Sequence, residues 1–174
     1  MTGKFLPVLA LAALIGANSV ASAQDRRDTQ LAEKVGNSLR TYASLTIFDD
    51  VNGQVDQGVV TLTGKVTMPY KKTELDKRIA RIDGVKSLND QIEVLPVSIY
   101  DDGLRAAIAR AIYRNPSFWN YAMMANPPIH IVVEHGRVTL TGVVSSPVEK
   151  ALAQTLASGF GEFGLTNALR TDMN

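Results

Sequence analysis

Apolar and polar positions alternate with two periods along the chain, and the two periods follow each other in a fixed order. Leu31, Val35, Leu39 and Tyr42 recur at helical spacing, and Asp28 is placed to cap that helix. A stretch with period two follows: Val60, Leu62, Gly64 and Val66 share one face of a strand, and Val59, Thr61, Thr63 and Lys65 the other. Gly58 stands where one strand turns back into the next, a position that favours positive φ. A second helix opens at Pro69 and carries Leu75, Ile79 and Ile82 as its stripe, and a last strand runs from Leu88 to Leu95.

The same order is written a second time. Gly58-Val-Val-Thr-Leu-Thr-Gly-Lys-Val66 and Gly136-Arg-Val-Thr-Leu-Thr-Gly-Val-Val144 agree at seven of nine positions, at an offset of 78. Pro69 and Lys72 return as Pro147 and Lys150. Val51, Gly53 and Val55 fall on Ile129, Ile131 and Val133. Leu88, Asp90 and Ile92 fall on Leu165, Asn167 and Leu169 at an offset of 77, one residue short. The second helix of this copy opens at Pro147 with Val148, Leu152 and Leu156 as its stripe. A period this long does not suit a solenoid and predicts two tandem domains. The expected class is α+β: two small α-β-β-α-β units, each a three-stranded mixed sheet with two helices on it. They span 24–97 and 98–174, joined by a short linker at Leu95–Asp102. Gly64 and Gly142 lie on inward strand positions, where a helix backbone passing close by would explain them; with Gly58 and Gly136 they read as structural glycines.

Residues 1–23 follow another pattern. One lysine, the apolar run Phe5–Ile15 and Ala21-Ser22-Ala23 form the three parts of a secretory signal peptide. The run is too short to span a bilayer, and no cysteine follows it for lipid attachment. The expected product is exported, periplasmic in a cell with two membranes, and has no transmembrane span. Composition narrows the chemistry. The net charge is +1, and removal of Lys4 leaves 17 basic against 17 acidic residues, which excludes a nucleic-acid-coating protein. With no cysteine there are no disulfides, thiol nucleophiles or Cys-ligated metals. Hydrolase, zinc-protease and nucleotide-loop motifs are missing, so no cofactor or catalytic residue is expected. His130 and His135 fall on a strand face and in a turn, too far apart for a metal site with Glu134. Asp49-Asp50 and Asp101-Asp102 are adjacent carboxylates that face opposite ways on extended chain; Asp101 or Asp102 is placed to cap the helix near Leu104.

The repeated helix, then G-x-V-T-L-x-G-x-V, then helix, then an Asn- or Asp-containing strand, resembles the BON domain (bacterial OsmY and nodulation). Pro127-Pro-Ile-His-Ile-Val-Val133 resembles the approach to the second hairpin in exported proteins with two BON domains. The resemblance covers both units, although the second departs at Gly161-Glu162-Phe163, where the first has Gly84-Val85. It implies a non-enzymatic envelope module that binds phospholipid surfaces or other proteins, tied to envelope integrity, osmotic stress or chaperoning.

Two stretches are candidate sites for an anionic phospholipid surface or an envelope protein. One is the insertion Arg114–Met124, with no equal-length counterpart in the first unit. Its Phe118, Trp119, Tyr121, Met123 and Met124 follow Arg105, Arg110 and Arg114 on the preceding helix, a mix that suits a membrane interface. The same residues could instead be core or fill the gap between units, or meet a protein. The other is Lys71, Lys72, Lys77, Arg78 and Arg81 on the second helix of the first unit, a solvated face or a headgroup patch. Thr61, Thr63, Thr139, Thr141, His130 and Val132 line sheet faces open to a partner or covered by the other unit.

Overall fold

The structure is a computed structural model that describes residues 16–172, with side chains from residue 24. The expected signal peptide lies outside it, except for the backbone of residues 16–23. The first unit comprises α1 (Gly16–Arg40), β1 (Asp50–Asp56), β2 (Val59–Val66), α2 (Pro69–Ala80) and β3 (Ser87–Val94). The second repeats the order as α3 (Ile99–Tyr113), a 3-10 turn at Pro116–Phe118, α4 (Trp119–Ala122), β4 (Ile129–Glu134), β5 (Arg137–Val144), α5 (Pro147–Ala157), β6 (Gly164–Asn167) and β7 (Arg170–Thr171).

Each sheet is mixed, as the pattern predicts. β1 and β2 form an antiparallel hairpin and β3 joins β2 in parallel, Val60 opposite Leu88. In the second unit β4 and β5 pair antiparallel, and β6 and β7 both pair with β5 in parallel. β6 and β7 hold one register against β5, so they are a single last strand interrupted at Ala168 and Leu169. Leu169 turns into the core there. Helices cover one face of each sheet and close over Val60, Leu62 and Val66 in the first unit and Val138, Leu140 and Val144 in the second.

Four expectations change in detail. Asp28 does not cap α1, which begins at Gly16; its carboxylate accepts from the amides of Gln57 and Gly58 in the β1–β2 turn, at 2.8 and 3.0 Å. Nor is Asp101 or Asp102 the cap of α3: Ser98 is, and buried Asp101 accepts from the turn amides of His135 and Gly136 at 3.0 and 2.8 Å. The α5 stripe is rotated, with Ala153 and Ala157 fully buried and Val148 exposed. These alanines occupy the places of Leu75 and Ile79, and the second core takes in Phe118, which has no counterpart in the first. Finally, no helix crowds Gly64 or Gly142. A Cβ there would lie 2.0 Å from the Asp50 carbonyl oxygen and 1.8 Å from that of Pro128, on the neighbouring strand or just before it, and both glycines have φ above +100°. The turn glycines Gly58 and Gly136 take φ +82° and +72°, and Gln57 and His135 before them are also left-handed, which makes each turn a two-residue primed turn.

Candidate functional site

The insertion of the second unit divides by side. Phe118 is fully buried beneath the sheet and Tyr121 nearly so. The Tyr121 hydroxyl donates to Glu149 at 2.7 Å and accepts from the Ser145 amide at 2.9 Å, which fastens the insertion to the start of α5. Burial, more than any other influence, raises the Tyr121 phenol above its ordinary pKa. Trp119, Met123 and Met124 point out, Trp119 60% and Met123 86% exposed. One strand of chain thus supplies both core and an apolar ridge, because Phe118 and Trp119 are adjacent residues on a tight helical turn.

The arginines divide too. Arg105 is buried, paired with Asp102 and bonded to the Val133 carbonyl, so it ties α3 to β4 and is not available to a ligand. Arg110 and Arg114 are exposed on the side of α3 that meets the insertion. Neither forms an ion pair among the described residues. They rim a shallow apolar depression with Tyr113, Ala122 and Pro127.

The basic helix of the first unit is largely self-satisfied. Lys71 is buried against Asp49, 2.6 Å away. Burial would raise the Asp49 carboxyl, but the Lys71 ammonium and the amides of Thr67 and Thr46 hold it below the usual range. Lys72 pairs with Asp90 at 3.1 Å. Arg78 bonds Ser38 and Thr41 and lies over the Tyr42 ring. Lys77 and Arg81 extend into solvent with no partner among the described residues, and exposed Arg78 bonds only neutral groups, so three of the five cations lack an acidic partner.

The units touch along the β4 edge. Ile131 donates its amide to the Ile47 carbonyl at 2.7 Å, so the loop before β1 adds one rung to the second sheet. Lys65 bridges Glu93 at 2.9 Å and Glu134 at 2.6 Å, and Asn126 donates to the Arg40 carbonyl at 2.6 Å. Between them lies a cleft of about 390 Å³ lined by Leu39, Tyr42, Leu45, Ile47, Pro127 and His130. Val132, on the outer face of the second sheet, is buried, whereas the Thr61 and Thr63 side of the first sheet is half open.

The family model of the BON domain matches residues 27–96 and again 100–162. The chain belongs to the BON-domain family. The first match takes in β1, β2 and β3, and the second takes in β4 and β5 and ends before β6 and β7. Among solved structures, it is similar at 12% identity to CdsD, a structural protein of the type III secretion system of Chlamydia trachomatis, over 83% of this chain and 94% of that one, with a TM-score of 0.31. The C-terminal domain of CdsD gives 12% identity, 83% of this chain, 66% of that one and a TM-score of 0.32. Likenesses this low bear on neither fold nor function. No curated protein matches the chain.

Among the described residues of the BON domains, no helix is long and apolar enough to cross a membrane, and no group of three His, Asp or Glu side chains could hold a metal. One surface escaped the sequence reading. Tyr100 and Phe163 stack with ring centroids 5.8 Å apart, beside Ile99, at the end of the second BON domain away from Trp119. Tyr100 stands four residues before buried Leu104, a spacing that suits the core face of α3, yet on the first turn it is half exposed, and only the fold brings Phe163 to it.

Proposed function

We propose that this is a non-enzymatic BON-domain protein of the cell envelope that binds phospholipid surfaces reversibly through its second BON domain. The observation that carries this reading is the exposed ridge of Trp119, Met123 and Met124 beside Arg110 and Arg114, two cations that form no ion pair among the described residues. An indole and thioethers enter the headgroup boundary, and guanidinium groups meet anionic phosphates at the same depth. Lys77 and Arg81 of the first domain add a weaker attraction, about 1 kcal/mol per cation near an anionic surface. The balanced net charge keeps adsorption modest and salt-sensitive. A periplasmic location rests on the family and on the signal-peptide pattern of residues 1–23.

The test is cosedimentation with anionic and zwitterionic vesicles over a salt series. Binding to anionic vesicles alone, weakening with salt and lost in Trp119→Ala and in Arg110→Gln/Arg114→Gln, is the expected result. Unchanged binding in both variants would sink the assignment. The second reading, a protein-interaction or chaperone module, is favoured by the exposed Tyr100–Phe163 pair, whose stacked rings stand open to solvent beside exposed Ile99. Suppression of client aggregation that is lost in Phe163→Ser, without vesicle binding, would select it.

A further inference from the structure

Lys72, Asp76 and Asp90 meet in the seam between α2 and β3. Asp90 accepts from the Ile92 amide at 2.8 Å and pairs with Lys72 at 3.1 Å. Lys72 also donates to the Ile92 carbonyl. Asp76 stands within hydrogen-bonding reach of Asp90, yet its Oδ1 is buried and has no partner. Two carboxylates have four acceptor oxygens and no donor, so they can bond each other only when one of them holds a proton.

The second BON domain carries the neutral version of this seam. Asp76 and Asp90 become Gln154 and Asn167, and Lys72 becomes Lys150. There Asn167 donates to the Gln154 side-chain oxygen at 3.3 Å and to the Lys150 carbonyl at 2.9 Å. An amide N–H thus supplies the donor that the acid pair lacks. The two domains share a backbone and differ at this seam by a titratable group.

We propose that Asp76 and Asp90 form an acid-operated latch: the first BON domain takes up one proton on acidification, which closes α2 onto β3, and the second domain, already latched by its amides, does not respond.

The surroundings of Asp76 favour that proton. Burial and then the charge of Asp90 raise its carboxyl above the usual range, against a smaller opposing pull from Lys72. The other elements packed on α2 add no charge at this point. β2 meets it with Val60, Leu62 and Val66, and α1 with Ser38 and Tyr42, which are engaged by Arg78 and Glu74. Because the folded carboxyl keeps its proton to a higher pH than the unfolded chain does, the stability it contributes is complete below the unfolded value. That stability is lost as pH rises through the folded value.

The test is a side-chain carboxyl NMR titration of the whole protein, together with amide hydrogen exchange at Leu62 and Ile92 in the first domain and Leu140 in the second. Asp76 is expected to titrate above the ordinary aspartate range, and to return toward it in Asp90→Asn. Protection at Leu62 and Ile92, corrected for intrinsic exchange, falls several-fold relative to Leu140 as the pH is raised from acidic to neutral. Asp76→Asn, which supplies a permanent donor, abolishes that relative loss. An Asp76 that titrates in or below the ordinary range in the wild-type protein overturns the latch, whether or not the variants fold. So does an Asp76→Asn protein that keeps the wild-type pH response.

Discussion

Asp28 and Asp101 make the same contact in the two BON domains. Each projects from the first helix of its domain and accepts from two successive amides of the hairpin turn opposite. The contact fixes the helix against the end of the sheet and satisfies two turn amides with one carboxylate. Asp101 is buried and Asp28 is half exposed. Asp101→Ala therefore leaves two amides without partners away from water, and is expected to cost about 1–3 kcal/mol. Asp28→Ala lets water replace the carboxylate and should cost visibly less. Urea denaturation of the two variants gives the comparison; equal costs would show that burial does not set the strength of this clasp.

The Asp49–Lys71 pair predicts a pH response opposite in sign to that of Asp76. Asp49 is held below its ordinary pKa in the folded protein, so its contribution is present above the unfolded value and is lost as pH falls through the folded one. Lys71→Met strands a buried carboxylate and should cost about 3–5 kcal/mol. In Asp49→Asn the loss of stability on acidification should shrink. Thermal unfolding from neutral to acidic pH reads both, and an Asp49→Asn protein as acid-sensitive as wild type would remove Asp49 from the account.

Gly64→Ala and Gly142→Ala test the close approach of neighbouring backbone. The new methyl meets a carbonyl oxygen at about half of a normal contact distance, in a φ region that L residues rarely adopt. Each substitution should cost about 2–4 kcal/mol, the clash adding to the strain. Gly103→Ala, with open space around it on α3, is the control and should be neutral or mildly stabilising. Chemical denaturation of the three variants ranks them.

Much of this was legible in the chain because repetition doubles every signal. Each strand of the first unit could be checked against its copy, and inward residues such as Val60 and Val138 followed from period two. The one-residue difference in offset between β2 and β3 appears in the structure as α5 one residue shorter than α2. What stayed hidden are relations between elements. Nothing in the local pattern around Asp28 says that its carboxylate reaches residues 57 and 58, since helix caps and long-range clasps use the same side chains. Lys71 reads as one of five basic residues on a helix, and only the loop carrying Asp49 turns it into a buried ion. In the insertion, composition marks a stretch rich in aromatics but could not assign sides, because a turn of helix after Pro116 sends adjacent aromatics in opposite directions.

That division makes Phe118 and Trp119 the sharpest pair to compare. Phe118 is fully buried in the core cluster that also holds Ile112, Ile129 and the α5 alanines, so Phe118→Ala leaves a cavity and should cost about 3–5 kcal/mol. Trp119→Ala removes a side chain that packs little, and should change stability by no more than about 0.5 kcal/mol. For surface binding the ranking inverts. Trp119 is the only tryptophan, so its emission reports the ridge alone, and addition of anionic vesicles should shift it to shorter wavelength as the indole leaves water. Arg110→Gln/Arg114→Gln should weaken that shift at equal protein stability, whereas Arg105→Gln should unfold the second domain by breaking the tie to Val133. An emission spectrum indifferent to vesicles, in a folded protein, would mean that the ridge does not enter a lipid surface.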